Sequence, residues 1–142
     1  MTHAFGLVLA LGLSQTPAQV EAIRKLEKEA HELQRAGRYA DAEKPLQAAI
    51  DLWRKYRGPD DVEVLNDTAD LAVAKRRKGD PVAAAALLEK VVEGFSRCKD
   101  PDAPQIKQRA LNNLAAAYKY AGQPKKAQAT WEAVLEALRG AT

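Results

Sequence analysis

The sequence is poor in the residues from which catalytic and metal sites are usually built. It contains one cysteine, Cys98, and two histidines, His3 and His31. A single cysteine excludes an internal disulfide and any zinc site that needs several thiolates. The glycines stand singly rather than in a phosphate-binding loop, and no catalytic triad is indicated. We therefore expect no enzymatic activity, no small-molecule substrate, no cofactor and no metal site.

Charge and hydrophobicity are those of an ordinary folded domain. Hydrophobic residues make up 46% and charged residues 29% of the chain, which does not indicate disorder. The net charge of +3 is too small on its own to favour nucleic acid as a partner. The basic run Lys75-Arg76-Arg77-Lys78 leaves anion or nucleic-acid binding as a weak alternative, because no aromatic residues are interleaved with it.

Long apolar runs are also scarce, and the only one lies at the N-terminus. Residues 4–13 are all apolar or glycine, which is short of the ~20 residues of a membrane-spanning helix. They fit the apolar core of a secretory signal peptide over residues 1–18, although no lysine or arginine precedes them. That interpretation predicts a periplasmic or secreted protein. Alternatively, the run is an apolar leader that covers the first helix pair of a cytoplasmic protein.

The strongest pattern is a helical hairpin that occurs three times. Apolar residues recur at three- and four-residue steps on both sides of Gly122, and Pro124 stands where a second helix would begin. The same frame surrounds Gly37 and Gly79, so the turn glycines are 42 and 43 residues apart. Self-similarity at this period is typical of a helical repeat array. We predict an all-α fold in which residues 19–142 form one domain of three antiparallel helical hairpins, at approximately 19–57, 61–98 and 103–139.

Two details of this array call for a structural check. Pro45 lies inside the predicted second helix, where it is expected to cause a bend or the loss of one backbone hydrogen bond. No predicted helix covers the last hairpin, so its apolar residues Trp131, Leu135 and Leu138 are expected to be partly exposed. Such a face favours either self-association through the terminal hairpins or the binding of a partner there. Self-association makes a structural assembly module the alternative function.

The hairpin pattern resembles the tetratricopeptide repeat. In the third copy, Ala115 is followed by Tyr118, Gly122 and Ala127 at that family's characteristic spacing. The LNNLA of residues 111–115 and the GPDD of residues 58–61 are most similar to the kinesin-light-chain type. The resemblance implies a right-handed α-solenoid whose first helices line a concave groove. It also implies a module that binds a protein or an extended peptide.

The resemblance places particular residues in this groove. We expect the partner-binding residues to be Arg35, Asp70, Val73, Arg76, Arg77, Arg109, Asn112, Asn113, Lys119 and Tyr120. The remaining groove positions are Arg24, Glu27, Lys28, His31, Gln34, Asn66, Ala69 and Ala116.

The chemistry of these residues favours an acidic, extended protein segment. Asn112 and Asn113 can donate and accept hydrogen bonds, which suits a peptide backbone, although a solvated asparagine pair is an equally good interpretation. The groove cations suit acidic side chains, or else they form an ordinary charged surface. Chaperone-type repeats grip a C-terminal carboxylate with lysine and asparagine. Glu27, His31 and Asp70 replace those residues here, which argues against recognition of Hsp70 or Hsp90 tails.

Overall fold

The structure is a computed structural model that describes residues 15–140. Residues 4–13 lie outside this range, together with the signal-peptide and leader interpretations that depend on them. Six helices and no strand occur within it. They are α1 (Pro17–Arg35), α2 (Tyr39–Arg57), α3 (Val62–Arg77), α4 (Pro81–Phe95), α5 (Ala103–Tyr120) and α6 (Pro124–Gly140).

Local sequence signals set the helix ends. At α1, the Thr16 hydroxyl accepts from the backbone N–H of Gln19, and the Gln19 side chain accepts from the backbone N–H of Thr16, which completes a capping box. Asp80 caps α4 in a similar way by accepting from the N–H of Ala83 at 3.2 Å. The turn inside each hairpin needs a left-handed residue, and Gly79, with a φ of 106°, supplies it in the second.

Each helix packs against the next one along the chain, and the first helices α3 and α5 also contact each other. The predicted all-α solenoid of three antiparallel hairpins is therefore confirmed. Its core forms where successive hairpins meet, as expected of a repeat array. The first cluster comprises Ile23, Ala30, Leu46, Ala49, Ile50, Trp53, Val64 and Leu71, and the second is centred on Leu65, Leu88, Val91, Phe95 and Leu114.

Pro45 lies within α2, which is assigned as a single helix from Tyr39 to Arg57. Its ring is buried beside Leu46, Ala49 and Ile50. A proline has no N–H to donate to the preceding turn. Burial of these apolar neighbours offsets that loss, so the helix continues past the proline.

Candidate functional site

Polar contacts join the first helices α1, α3 and α5, which line one face of the solenoid. Arg24 and His31 of α1 reach Glu63 and Asp70 of α3, respectively. Farther along the array, the guanidinium of Arg109 on α5 donates to the amide oxygen of Asn66 on α3. We call this face the groove. Its walls are fixed relative to one another by side chains as well as by the core beneath.

Two carboxylates near the N-terminal part of the groove, Glu27 and Glu63, are both paired with Arg24. Arg24 donates to Glu63 at 2.7 and 3.1 Å and to Glu27 at 2.8 Å. The hydrogen bonds that Arg24 donates to Glu63 raise the pKa of Arg24. Partial burial lowers this pKa, and Glu27 raises it further. Charge-assisted contacts of this kind are stronger than neutral hydrogen bonds. The two glutamates are therefore unavailable to a cationic ligand unless this contact opens.

A second acid pair lies buried beneath the groove. Glu27 is 8% exposed and Asp67 is 3% exposed. Glu27 accepts from the indole N–H of Trp53 at 2.7 Å as well as from Arg24 at 2.8 Å. Burial raises the pKa of Asp67 to about 9, and the nearby charge of Glu27 adds to the effect. The raised pKa favours the protonated form of Asp67 at neutral pH, and its interaction with Glu27 joins α1 to α3.

Asp70, predicted as a partner-binding residue, has hydrogen-bond partners within the chain. Its carboxylate lies 3.2 Å from Nε2 of His31, and its backbone carbonyl accepts from the Gln34 side chain at 3.3 Å. Glu27 and Asp70 both face cations or donors, which weakens the repulsion that these two acids would exert on a ligand carboxylate. His31 is half exposed, and its ring lies beside the Asp70 carboxylate.

The C-terminal ends of α1 and α3 form a basic depression. Arg35 and Arg77 line it from equivalent positions of successive hairpins, each two residues before its turn glycine. Val73 and Tyr39 add apolar surface to the same depression, whose volume is about 430 Å³. Neither arginine forms an ion pair with a carboxylate within residues 15–140. This arrangement can hold an acidic side chain with its apolar stem against Val73.

The basic surface continues from Arg76 of α3 onto Lys119 and Tyr120 of the third hairpin. The guanidinium of Arg76 lies over the ring of Tyr120, 5.3 Å from its centroid. Tyr120 is nevertheless 65% exposed. Lys119 is exposed on the same turn of α5. Together with Arg35 and Arg77, the residues Arg76 and Lys119 form what we call the basic edge of the groove.

Asn112 and Asn113 lie on α5, where Asn112 is exposed and Asn113 is half-buried. Neither side chain forms a hydrogen bond within the described part of the chain. Their polar groups are therefore available to a peptide backbone. Arg109, by contrast, is already engaged with Asn66 and has no ion-pair partner in residues 15–140.

Two expectations about the groove need correction. Ala69 was placed in the groove by the resemblance, but it is 4% exposed and packs in the core. Ala69 is buried because α3 packs on both sides, against α2 and against α4. The basic run at residues 75–78 also does not form one patch. Lys75 and Lys78 both face Glu43 of α2, at 3.6 and 2.9 Å, whereas Arg76 turns toward Tyr120.

Sequence reasoning missed the buried pair because Asp67 looks like one more charged residue on an amphipathic helix. One signal was available. Asp67 lies between Val64 and Leu71 on the stripe that packs against α2, where a carboxylate must be paired or neutral.

Cys98 is half-buried against the second core cluster, as an inert thiol would be.

None of the helices within residues 15–140 is long and apolar enough to cross a membrane. The same range contains no group of three or more side chains arranged as metal ligands. What it contains is a solenoid of helical hairpins with a polar groove, which is the architecture of a repeat protein that binds along one face.

Comparison with known proteins identifies the kind of repeat. The sequence profile of the tetratricopeptide repeat matches residues 22–97, more than half of the chain. The chain therefore belongs to the tetratricopeptide repeat family, and the prediction from the sequence is confirmed. No curated protein matches the full sequence significantly.

Solved structures show the same fold. The TPR domain of Arabidopsis FLU is 16% identical, covers 86% of this chain and is itself 98% covered, with a TM-score of 0.72. BtubC (BKLC) from P. vanneervenii is 20% identical over 84% of this chain, with a TM-score of 0.76. The chain spans 47% of the BtubC chain. At these identities the likeness concerns the fold alone.

Proposed function

We propose that this protein is a protein–protein interaction module whose groove binds an extended, acidic segment of a partner. Tetratricopeptide repeat domains generally act as protein–protein interaction modules. The observation that supports an acidic ligand is the uneven pairing of charge in the groove. Its acids contact Arg24 and His31 or are protonated, whereas its basic edge has no carboxylate partner within residues 15–140.

The basic depression between the first two hairpins is the center of this proposal. Arg35 and Arg77 come from neighbouring repeats, so one acidic side chain between them would contact both. Their guanidinium groups suit bidentate hydrogen bonds with a carboxylate. An apolar stem or neighbouring residue would pack on Val73 and Tyr39. The ligand motif is therefore an acidic residue beside an apolar one.

Residues of α5, together with Arg76 of α3, would hold the rest of the ligand. Asn113 would donate to and accept from the backbone of an extended peptide, which explains why a ligand without secondary structure is favoured. Lys119 and the Arg76–Tyr120 pair would extend the contact to a second acidic or aromatic residue. A short peptide held this way is expected to bind in the micromolar range, about −8 kcal/mol.

Selection from a random-peptide phage library tests the ligand class. Peptides that the wild-type chain retains are expected to be enriched in aspartate and glutamate next to apolar residues. Their affinity is expected to fall as the salt concentration rises. Enrichment of basic peptides, or of purely apolar ones whose binding is insensitive to salt, would contradict the proposal.

A pair of charge-reversal variants tests the site. The double variant R35E/R77E is expected to weaken a selected peptide at least a hundredfold, about 3 kcal/mol, since two charge-assisted contacts become repulsive. The matched control K44E/K90E makes the same change of net charge on the exposed faces of α2 and α4. The control is expected to retain wild-type affinity. Equal weakening in both variants would show that binding depends on net charge rather than on the groove.

A further inference from the structure

A row of apolar side chains on α6 is exposed in the structure. Trp131 is 39%, Leu135 is 52% and Leu138 is 45% exposed. We call these three residues the α6 seam. Their spacing of four and then three residues is that of a helix–helix contact line rather than of a broad core face. A helix with such a line packs against one other helix.

The equivalent residues of the preceding hairpins are covered. At the same distances from the turn glycine as the α6 seam, the first hairpin has Leu46, Ile50 and Trp53, and the second has Leu88, Val92 and Phe95. The first three are at most 1% exposed, because α3 packs on them. In the two preceding hairpins, the surface equivalent to the α6 seam therefore contacts a further helix.

The other end of the array does not fit the α6 seam. Val64 and Leu71 of α3 cover the first hairpin, and the equivalent positions on α1 are Ala22 and Glu29. Both are exposed, and Lys25 lies between them, 3.7 Å from Glu21. Head-to-tail stacking of copies would bury these charges against tryptophan and leucine, which is unfavourable. Of the two end surfaces of the array within residues 15–140, the α6 seam therefore fits better against itself than against α1.

We propose that two copies associate through their α6 seams, with the two α6 helices antiparallel about a twofold axis. A self-complementary contact of this kind closes after two copies. The interface lies on α6, outside the groove. It is therefore a second interaction surface, independent of the proposed peptide binding.

The antiparallel register places the largest side chain at a cavity. With the axis near Leu135, Trp131 of one copy lies opposite the partner's Leu138. Leu138 borders an apolar cavity of about 550 Å³, which Leu111, Val134 and Ala137 also line. An indole packed against Leu138 has room to enter that cavity, as the aromatic anchors of protein interfaces do.

Charges at the edge of the α6 seam agree with this register. Glu132 and Arg139 are seven residues apart and so lie on the same flank of α6. In the antiparallel pair, Glu132 of one copy comes within about 3 Å, measured along the helix axis, of the partner's Arg139. Two reciprocal ion pairs result. Arg139 also pairs with Glu136 in its own chain, at 3.6 Å.

Sedimentation equilibrium of the full chain over a range of concentrations tests the association. The wild-type chain is expected to show a monomer–dimer equilibrium, and L135E is expected to raise the dissociation constant at least about tenfold. The control V82E changes an apolar residue that is 63% exposed on α4, and it is expected to leave the equilibrium unchanged. A chain that stays monomeric up to about 1 mM would overturn the proposal. So would open-ended growth, or a dimer unaffected by L135E.

Disulfide cross-linking tests the orientation and does not require L135E to fold. In a C98S background, a mixture of W131C and L138C chains is expected to form mixed disulfide dimers faster than either variant forms its own. Faster cross-linking of W131C with itself would indicate a parallel pair and overturn the antiparallel assignment. Absence of cross-links in all three samples would overturn the interface.

Discussion

Replacement of the buried acid Asp67 by asparagine is expected to stabilise the protein at neutral pH. Asp67 is 3% exposed and its Oδ2 contacts no donor within the described residues. Burial, followed by the charge of Glu27, raises its pKa to about 9. The folded chain therefore binds a proton at pH 7 that the unfolded chain has released. An asparagine keeps the shape and can donate to Glu27 without taking up a proton.

The size of the stabilisation in D67N follows from the free energy needed to protonate Asp67 at pH 7, relative to the unfolded chain. Keeping an acid with an ordinary pKa of about 3.9 protonated at pH 7 costs about 4 kcal/mol. One amide hydrogen of the asparagine is left without an acceptor, which reduces the gain to about 2 kcal/mol. For a chain of this length that corresponds to a rise in Tm of roughly 5–10 °C.

The dependence on pH has a defined sign. A group whose folded pKa is raised makes the folded state bind more protons, so Asp67 costs the wild type progressively more stability as the pH rises from about 4 to about 9. In D67N this contribution is absent. With the cost of the unpaired amide hydrogen included, D67N is expected to be about 1–2 kcal/mol less stable than the wild type at pH 4, about 2 kcal/mol more stable at pH 7, and to have its largest advantage near pH 9.

Urea denaturation followed by circular dichroism at several pH values measures the effect. The control is D51N, which removes an exposed carboxylate from α2 and is expected to change stability by less than about 0.5 kcal/mol. A D67N protein that is clearly less stable than the wild type at pH 7 would refute the reasoning. That result would mean that Asp67 is ionised and stabilised by a cation.

Three further substitutions test single contacts in the same denaturation assay. E27Q removes the carboxylate that accepts from Arg24 and from the Trp53 N–H, and it is expected to lower the free energy of unfolding by about 1–3 kcal/mol. An unchanged stability would contradict the stabilising role of these two hydrogen bonds. Y118F removes the 2.5 Å hydrogen bond to Glu89 and is expected to cost about 1–2 kcal/mol. Burial, followed by that hydrogen bond, raises the pKa of Tyr118 to about 12. The wild type should therefore lose stability between about pH 10 and 12, unlike the variant, and matching curves would contradict this assignment. D80A removes the cap of α4 and is expected to cost about 1 kcal/mol, whereas D102A, at an N-cap without a side-chain hydrogen bond, is expected to be neutral.

The fold could be predicted from the sequence because the hairpin signals are local and repeated. Gly37, Gly79 and Gly122 mark the same turn three times, and all three have positive φ. The apolar spacing around each glycine then sets which helix faces pack. The bounds of the hairpins differ from those predicted by three residues or fewer: α1 begins at Pro17 rather than at 19, and α4 ends at Phe95 rather than at 98.

The internal partners of the groove residues could not be predicted from the sequence. Arg24 and Glu63 are 39 positions apart, and their pairing depends on the offset between neighbouring hairpins. Repeat spacing gave the positions that face the groove but not the side chains that contact each other across it. The same limit applies to the Arg76–Tyr120 contact. The sequence therefore identified the cations of the groove without showing which of them have partners.

Mapping a bound peptide by NMR tests the central claim most directly. A ¹⁵N-labelled chain would be titrated with an acidic peptide selected from the phage library. The account predicts that the largest shift changes occur at Arg35, Val73, Arg77 and Asn113. Changes concentrated on α2, α4 and α6, with the groove unperturbed, would contradict it.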